Sequence, residues 1–211
     1  MHEPADSLKR SFDEIEAKLI RIVDDKGVMR LALSAPPMPN ATFHGEVMIE
    51  QNRPAAGILY FTEEGTECGG LSFSGKTDKK IQAGAIMTMD AYEQDQVLVL
   101  PYNQRGGKPF FGISVTERPF TSIKDFVDRY LRMPKWKLIL RFFLSSKTRR
   151  DLKRGQVPRL FMGRNTDGAI RLNLMDSKGK ARIRIVVDHE DNPRMEFLDE
   201  RGKVNYRLPP D

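Results

Sequence analysis

The stretch "NTDGAIRLNLMDSKGKARIRIVVDHEDNPRMEFLDERGKVNYRL" (165–208) carries the strongest indication of the fold. Four turn-forming tetrapeptides, NTDG, DSKG, HEDN and DERG, recur in it at short, similar intervals. Asp at the first position of a type I turn accepts hydrogen bonds from its own backbone, and Gly at the fourth position tolerates a positive φ. Between the turns, apolar and polar side chains alternate with the period of two that is typical of half-buried strands. The stretch therefore predicts an antiparallel meander of short hairpins.

The same pattern occurs in the first third of the chain. DDKG (24–27) separates "KLIRIV" from "VMRLALS", and EEG (63–65) separates "AGILYF" from "LSFSG". The alternating runs of the whole chain predict roughly eleven to thirteen strands, which is more than a flat open sheet usually holds. We therefore expect a mainly β protein whose antiparallel meander is closed as a barrel or folded as a two-layer sandwich.

Composition is consistent with a single folded domain. The chain has 211 residues, of which 39% are hydrophobic and 30% are charged, and this balance is typical of a soluble globular protein. We expect one β domain over 1–211, with an N-terminal tail at 1–14 and a helical insertion at 121–154. The single cysteine, Cys68, excludes an internal disulfide framework. The N-terminus is too charged for a signal peptide, so we expect a cytoplasmic protein.

The predicted insertion contains two helices. Ser122 can cap the first helix, and Pro134 suits the first turn of a second one. Residues 121–154 hold eleven Lys/Arg and three Asp, a balance of +8, so the rest of the chain is at −2 when the total is +6. This local basicity resembles a membrane-surface helix, but the apolar residues of "KWKLILRFFL" surround most of the helix, which favours burial against the β-structure. A homo-oligomer contact through the 121–154 helices is the alternative.

Nucleic-acid binding is not supported by the sequence. The basic run "KTRRDLKR" (147–154) contains no aromatic residues that could stack on bases. The sequence thus carries no clear nucleic-acid signal, although contact from this run stays open, and it disfavours a membrane partner.

Two segments depart from the plain turn pattern and are rich in polar groups. "EEGTECGG" (63–70) includes Glu64, Thr66 and Glu67, and its glycine pair suggests a bulge or a close approach of another backbone. If this strand is regular, Glu67 shares a face with the apolar Leu71 and Phe73. Cys68 has no base nearby in sequence, so we interpret it as structural.

The second polar segment is "MDAYEQDQV" (89–97), which follows the run "AGAIMTM". If it is extended, Glu93 and Asp95 share one face, and the other face carries the residues Asp90, Tyr92, Gln94 and Gln96. Such a connection can supply oxygen ligands to a cation or hydrogen bonds to a polar ligand, or it can be a solvated hairpin loop.

A long connection at 34–57 could cover both polar segments. It carries His44 and Glu46, whose spacing allows both side chains to face one metal or one water, although an exposed loop histidine is the simpler interpretation. We predict a ligand-binding set of Glu64, Thr66, Glu67, Asp90, Tyr92, Gln94, Gln96 and His44. We predict a metal-binding set of Glu67, Glu93 and Asp95, for which Ca²⁺ or Mg²⁺ would be the preferred cation.

The sequence lacks the common catalytic motifs, including G-x-S-x-G, the Walker loop, G-x-G-x-x-G after a strand and H-E-x-x-H. Whether the protein is an enzyme is therefore open. Three hypotheses follow: binding of a small polar ligand or cation, metal-assisted hydrolysis of an ester or lactone with His44 assisting, and a homo-oligomeric assembly module.

The segments "FTEEGTECGGLSFSG" and "MDAYEQDQVLVL" resemble the hallmark segments of a family of uncharacterised bacterial proteins of similar length. That family reads F-N-D-E-G-T-E-N-G-G-L and F-D-Q-Y-E-Q-D-Q-V at these places, and the similarity extends over most of the chain. Cys68, Met89 and Ala91 depart from the pattern, since they replace Asn, Phe and Gln. The resemblance implies the same architecture and the same choice of site, and it names no reaction.

Overall fold

The computed structural model describes residues 10–48, 50–77, 80–119, 121–125, 128 and 156–210. Within these residues the chain forms fourteen β-strands. Their bounds are β1 Leu19–Val23, β2 Met29–Ser34, β3 Thr42–Phe43, β4 Glu46–Val47, β5 Ala56–Phe61, β6 Glu67–Thr77, β7 Ile81–Asp90, β8 Gln96–Arg105, β9 Lys108–Glu117, β10 Val157–Arg164, β11 Ile170–Met175, β12 Ala181–Val187, β13 Pro193–Leu198 and β14 Val204–Leu208.

Twelve of these strands form one large antiparallel sheet. Its order is β1-β2-β5-β6-β7-β8-β9-β10-β11-β12-β13-β14, while β3 pairs only with β4 in a separate hairpin. Tight turns closed by backbone hydrogen bonds join β1 to β2, β5 to β6, β7 to β8, β10 to β11, β11 to β12, β12 to β13 and β13 to β14. The prediction of a mainly β, antiparallel meander is confirmed.

The predicted closure is not found within the described residues. Among the described strands, β1 and β14 are the two edges of the sheet, so the sheet is not closed as a barrel, and β3 and β4 form a separate two-stranded sheet. Closure requires the first and last strands to pair with a stagger that tilts every strand. Tight turns fix only the pairing of consecutive strands, and they do not determine whether β1 pairs with β14.

The start of the predicted helical insertion is visible. Residues 123–125 and 128 are helical, and Ser122 accepts a hydrogen bond from the backbone N–H of Lys124 at 3.2 Å, as expected of a cap. The remainder of the predicted first helix and all of the second, at 135–154, lie outside the described residues. No helix within the described part of the chain combines the length and hydropathy that crossing a membrane requires.

The register of the sheet separates its side chains into two faces, because directly paired residues project to the same side. We call one of them the apolar face, since the middle positions of all twelve strands place apolar side chains there. Its members include Ile20, Leu31, Leu33, Ile58, Leu71, Met87, Leu100, Tyr102, Phe111, Ile113, Met162, Leu172, Ile183, Ile185, Met195, Phe197 and Tyr206.

We call the opposite side the mixed face, because its two halves are stabilised differently. In the N-terminal half, the 34–57 connection covers it, and Met38 packs with Ala32, Leu59 and Phe61 in a small buried cluster. In the C-terminal half, the buried Glu196 lies on the same face as the buried apolar residues Val186 and Leu198.

Glu196 is 3% exposed. Its carboxylate lies 3.0 Å from Arg184 and 2.9 Å from Arg194. A buried carboxylate needs such partners, since removal of a charge from water is costly unless it is paired. The C-terminal half of the mixed face therefore combines ion pairs with a few buried apolar side chains.

Candidate functional site

Two turns stand side by side on one rim of the sheet. The turn at 62–66 joins β5 to β6 and the turn at 91–95 joins β7 to β8, and β6 and β7 are neighbours in the sheet. We call them the site turns. The 34–57 connection leaves β2 at the opposite rim, crosses the mixed face and brings the β3–β4 hairpin to this rim.

The hairpin is docked on the first site turn by three hydrogen bonds. Thr42 donates its hydroxyl to the carbonyl of Gly65 at 2.6 Å, and the N–H of Gly45 donates to the same carbonyl at 3.1 Å. The N–H of His44 donates to the hydroxyl of the buried Thr66 at 2.9 Å. These contacts fix the backbone from which the His44 side chain projects.

His44, Glu64 and Glu93 form what we call the rim cluster. The His44 Nε2 atom lies 3.2 Å from Glu93 Oε1 and 3.4 Å from Glu64 Oε2, and one ligand atom from each of the three residues lies within 4.8 Å of the others. Tyr92 donates its hydroxyl to Glu64 Oε2 at 2.8 Å, and this bond raises the pKa of Tyr92. The structure thus brings three separate polar segments to one point.

The backbone at this point is strained. His44 has a φ of 49° and Glu93 a φ of 50°, in the left-handed region that residues other than glycine seldom adopt. Such strain persists only where surrounding contacts impose it, and it concentrates at functional sites. The His44 ring also stacks on the buried Phe43, with ring centroids 4.3 Å apart, which limits the orientations of the imidazole.

Glu67 and Asp95, two of the three predicted metal ligands, are engaged elsewhere. Glu67 makes two contacts of 2.9 Å with the guanidinium of Arg53, and Asp95 lies 3.1 Å from that of Arg118. A paired guanidinium neutralises the charge of a carboxylate, so these two acids have less to offer a cation. Glu93 is the one residue of the predicted metal set that belongs to the rim cluster.

Asp90 lies in the same region, at the end of β7. Burial, with the nearby charges of Asp95 and Glu67, raises the pKa of Asp90 to about 7, although Arg118 and Arg53 oppose the shift. Its Oδ1 atom is buried and has no hydrogen-bond partner among the described residues. This carboxyl group therefore changes its protonation state near neutral pH.

Gln94 and Gln96 hold neighbouring segments in place instead of contacting the cluster. Gln94 donates its side-chain amide to the carbonyl of Thr121, and the N–H of Ile123 donates to the carbonyl of Glu93 at 2.7 Å. The carbonyl of Gln96 accepts a hydrogen bond from Arg118 Nε at 2.8 Å. These contacts tie the start of the helical segment to the second site turn.

Two expectations about side-chain direction are wrong. A bulge between Tyr60 and Phe61 shifts the register, so that Glu67 pairs with Phe61 on the mixed face rather than sharing the apolar face with Leu71. Residues 91–95 form a tight turn instead of an extended segment, so Glu93 and Asp95 do not share a strand face. Cys68 is partly buried and burial raises the pKa of its thiol, which agrees with the structural interpretation.

Sequence reasoning missed Arg53 and Arg118, the cations that neutralise Glu67 and Asp95. Both stand directly before a proline, in "NRPA" and "ERPF", at the end of a connection or strand. A position before proline is by itself a weak signal. Only the requirement of the Glu67 and Asp95 carboxylates for cationic partners could have directed attention to these two arginines.

A comparison with known protein families and with curated proteins found no match to this chain. The similarity to the bacterial family described above therefore stays a prediction.

Proposed function

We propose that the protein binds a divalent cation of the first transition row at the rim cluster, with His44, Glu64 and Glu93 as ligands. The observation that carries this proposal is the convergence of one imidazole nitrogen and two carboxylate oxygens from three segments. Three protein ligands with a fourth position left to water or substrate is the arrangement of open zinc sites.

The distances suit a metal of this size. Ligands bound at about 2.1 Å in a tetrahedron stand roughly 3.4 Å from one another. The His44 nitrogen is 3.2 Å and 3.4 Å from the two carboxylate oxygens, and all three atoms lie within 4.8 Å of one another, so a bound cation would require side-chain movements to equalise the distances.

The surrounding contacts would orient the ligands. Tyr92 holds Glu64 by a hydrogen bond, Thr66 holds the backbone of His44, and Phe43 stacks on the imidazole. Partners of this kind fix the direction of metal ligands and strengthen binding. At 47%, 49% and 25% exposure, the three ligand side chains remain open to solvent and to an incoming ion.

The donor set favours Zn²⁺ over Ca²⁺ and Mg²⁺. The sequence suggested calcium or magnesium because all the predicted ligands were oxygen atoms. An imidazole nitrogen suits zinc and its neighbours in the first transition row, whereas calcium and magnesium bind mainly oxygen.

Thermal unfolding after treatment with EDTA tests the proposal. A cation present at about 100 times its Kd stabilises the folded state by about 2.7 kcal/mol, which raises the melting temperature of a protein this size by roughly 5–10 °C. We expect this shift with Zn²⁺, and a much smaller one with Ca²⁺ or Mg²⁺.

The variants His44→Gln and Glu93→Gln should lose the shift. His189 and Glu190 provide the matched control, because they form a second His–Glu pair at 4.0 Å on an exposed hairpin turn and belong to no three-ligand group among the described residues. His189→Gln should respond to Zn²⁺ like the wild type. The proposal fails if Zn²⁺ has no effect on the wild type, or if it stabilises His44→Gln equally.

Hydrolysis assisted by the bound cation is a second candidate function. Asp90, whose pKa lies near 7, stands on the same rim and has the proton affinity that a general base at neutral pH requires. A zinc-dependent hydrolysis of simple aryl esters or lactones that Asp90→Asn abolishes, with Zn²⁺ binding retained, would support it. Equal rates with and without the protein would exclude it for those substrates.

A further inference from the structure

The apolar face is exposed to an extent that is unusual for a folded chain. Of the large apolar side chains exposed in the described residues, seventeen lie on this face by register: Ile20, Ile22, Leu33, Phe73, Ile81, Met89, Leu100, Tyr102, Phe111, Met162, Ile170, Leu174, Ile185, Val187, Phe197, Tyr206 and Leu208. They extend from the first strand of the sheet to the last.

The middle of this face carries no charge. Among the described strand residues, Glu117 and Arg164 are charged and lie on this side by register, and both stand at strand ends. The mixed face of the same strands has Arg171, Arg184 and Glu196 at central positions. The two faces of the sheet thus differ in polarity. The charged centre of the mixed face is readily solvated, whereas the uncharged centre of the apolar face is not.

The exposed area is as large as a stable interface requires. With about two fifths of roughly 180 Å² exposed on each, the seventeen side chains present roughly 1,200 Å² of apolar surface. The largest apolar patch of a typical monomer is about 300–600 Å², and a standard interface buries about 800 Å² on each partner.

Within the described residues, the long connection at 34–57 does not cover this area. It lies on the mixed face, where Met38 packs against Ala32, Leu59 and Phe61. The apolar side chains of the opposite face are left exposed.

We propose that two copies of the chain pair through their apolar faces, so that the two sheets stack as a two-layer sandwich across a twofold axis. Sheets stack face to face at about 10 Å with aligned strands, and the interior is then filled by apolar side chains from both inner faces. A twofold interface uses the same surface on each copy, and a face without central charges meets its own copy without repulsion. The proposal is independent of the cation site, which lies on the rim.

The centre of the apolar face is the place to test this arrangement. A depression of about 450 Å³ there is lined by residues that include Met87, Leu100, Tyr102, Phe111 and Met162. Leu100 lies on β8, the sixth of the twelve strands, and Asn103 lies three residues further along the same strand on the mixed face. Both side chains are exposed, so they form a matched pair.

Sedimentation equilibrium of the full chain, with and without Leu100→Lys, is the first measurement. We expect a dimeric wild type, a Leu100→Lys variant whose dimer dissociation constant rises roughly 100-fold or more, and an Asn103→Lys variant that dimerises like the wild type. Circular dichroism of each variant checks that its strand content is unchanged.

A cysteine pair keeps the test informative if the lysine variant fails to fold. In a Cys68→Ser background, Leu100→Cys should be linked covalently into dimers by a bifunctional maleimide, whereas Asn103→Cys, on the opposite face, should give no covalent dimer under the same treatment. The proposal is overturned by a monomeric wild type, including one that instead sediments with phospholipid vesicles, by a dimer that Leu100→Lys leaves intact, or by equal crosslinking at both positions.

Discussion

Two kinds of hairpin turn share one rim of the sheet, and they use their acidic side chains in opposite ways. In the turn at 176–180, Asp176 Oδ1 accepts hydrogen bonds of 2.9 Å from the N–H groups of Lys178 and Lys180. The turn at 91–95 has the same backbone hydrogen-bond pattern, with the N–H of Gln94 donating to the carbonyl of Ala91, but its positive φ is at the third residue, Glu93, and Ala91 has no side-chain acceptor. Its acid, Glu93, is two residues further on and contacts His44.

The pKa values of the turn acids agree with this difference between the two kinds of turn. The backbone N–H groups of Lys180 and Lys203 lower the pKa of Asp176 and of Asp199, respectively, because they stabilise the charged carboxylate. These acids are committed to holding their own turns. In the turn at 62–66 the hydroxyl of Thr62 takes over that role, which leaves Glu64 free to reach the rim cluster. Turns with the same hydrogen-bond pattern therefore differ in the use of their acid, which holds the turn at the first position and is available for binding at the third.

The largest expected effect comes from Gly65, which adopts a φ of 74° and lies against the β3–β4 hairpin. A Cβ atom there would stand 3.0 Å from the backbone nitrogen of Gly45. We expect Gly65→Ala to lower the free energy of unfolding by about 2–4 kcal/mol, since strain in the left-handed region adds to a backbone clash.

Gly202 is the control for this change, because it has a φ of 81° in a plain turn with open space around it. Gly202→Ala should cost only the conformational term, about 1–2 kcal/mol, in urea unfolding. Equal losses for the two variants would mean that the hairpin is not held against the first site turn.

The next largest effect is on the pH dependence of the free energy of unfolding, through Asp90. The pKa of Asp90 is about 7 in the folded chain and 3.8 as its ordinary value, so the folded state binds the proton more tightly than the unfolded state. Its contribution to stability is therefore present below pH 3.8 and is lost as the pH rises toward 7. Asp90→Asn should stabilise the protein by about 1–2 kcal/mol above pH 7, because partial solvent access screens the repulsion, and should flatten the pH profile.

Asp199 should make a contribution to stability with the opposite pH dependence in the same experiment. Its pKa is lowered on folding, so its contribution is present above the ordinary value of 3.8 and is lost as the pH falls through the folded pKa. Unfolding curves from pH 3 to 8 separate the two. A profile of Asp90→Asn that is parallel to the wild type would contradict the assignment of a raised pKa to this group.

How far these features could be predicted depends on the range of the interactions involved. The strands and plain turns were predictable, because alternation and the Asp-x-x-Gly pattern act within a few residues, as Asp24 shows by accepting from Lys26 and Val28. The segments that hold Glu64, Tyr92 and Glu93 were recognisable as departures from that pattern. Their convergence with His44 depends on contacts over 22 to 49 residues, which local patterns do not encode.

Two other errors have physical causes of their own. One extra residue at the bulge near Phe61 places Glu67 on the opposite face, and nothing in a strict period of two anticipates it. The expected barrel followed from strand number alone, whereas closure depends on whether β1 can reach β14, a relation between the two ends of the chain.

The smallest expected effect is a difference in melting temperature, measured without added metal, between a variant of an acid that holds its own turn and a variant of an acid in the rim cluster. Asp199→Ala removes the acceptor of two turn N–H groups, at 2.8 and 2.9 Å, and should lower the melting temperature measurably. Glu93→Gln should leave it unchanged in EDTA, because Glu93 supports no backbone donor of its own turn. A larger loss in Glu93→Gln than in Asp199→Ala would indicate a structural rather than a binding role for the rim cluster.

Zinc-edge X-ray absorption of the protein loaded with one equivalent of Zn²⁺ tests the central claim most directly. Binding at His44, Glu64 and Glu93 predicts one imidazole and only nitrogen or oxygen neighbours at about 2.0–2.2 Å, with the imidazole signal absent from His44→Gln. A sulfur neighbour at about 2.3 Å, which Cys68 would supply, or an identical spectrum for His44→Gln, would contradict it.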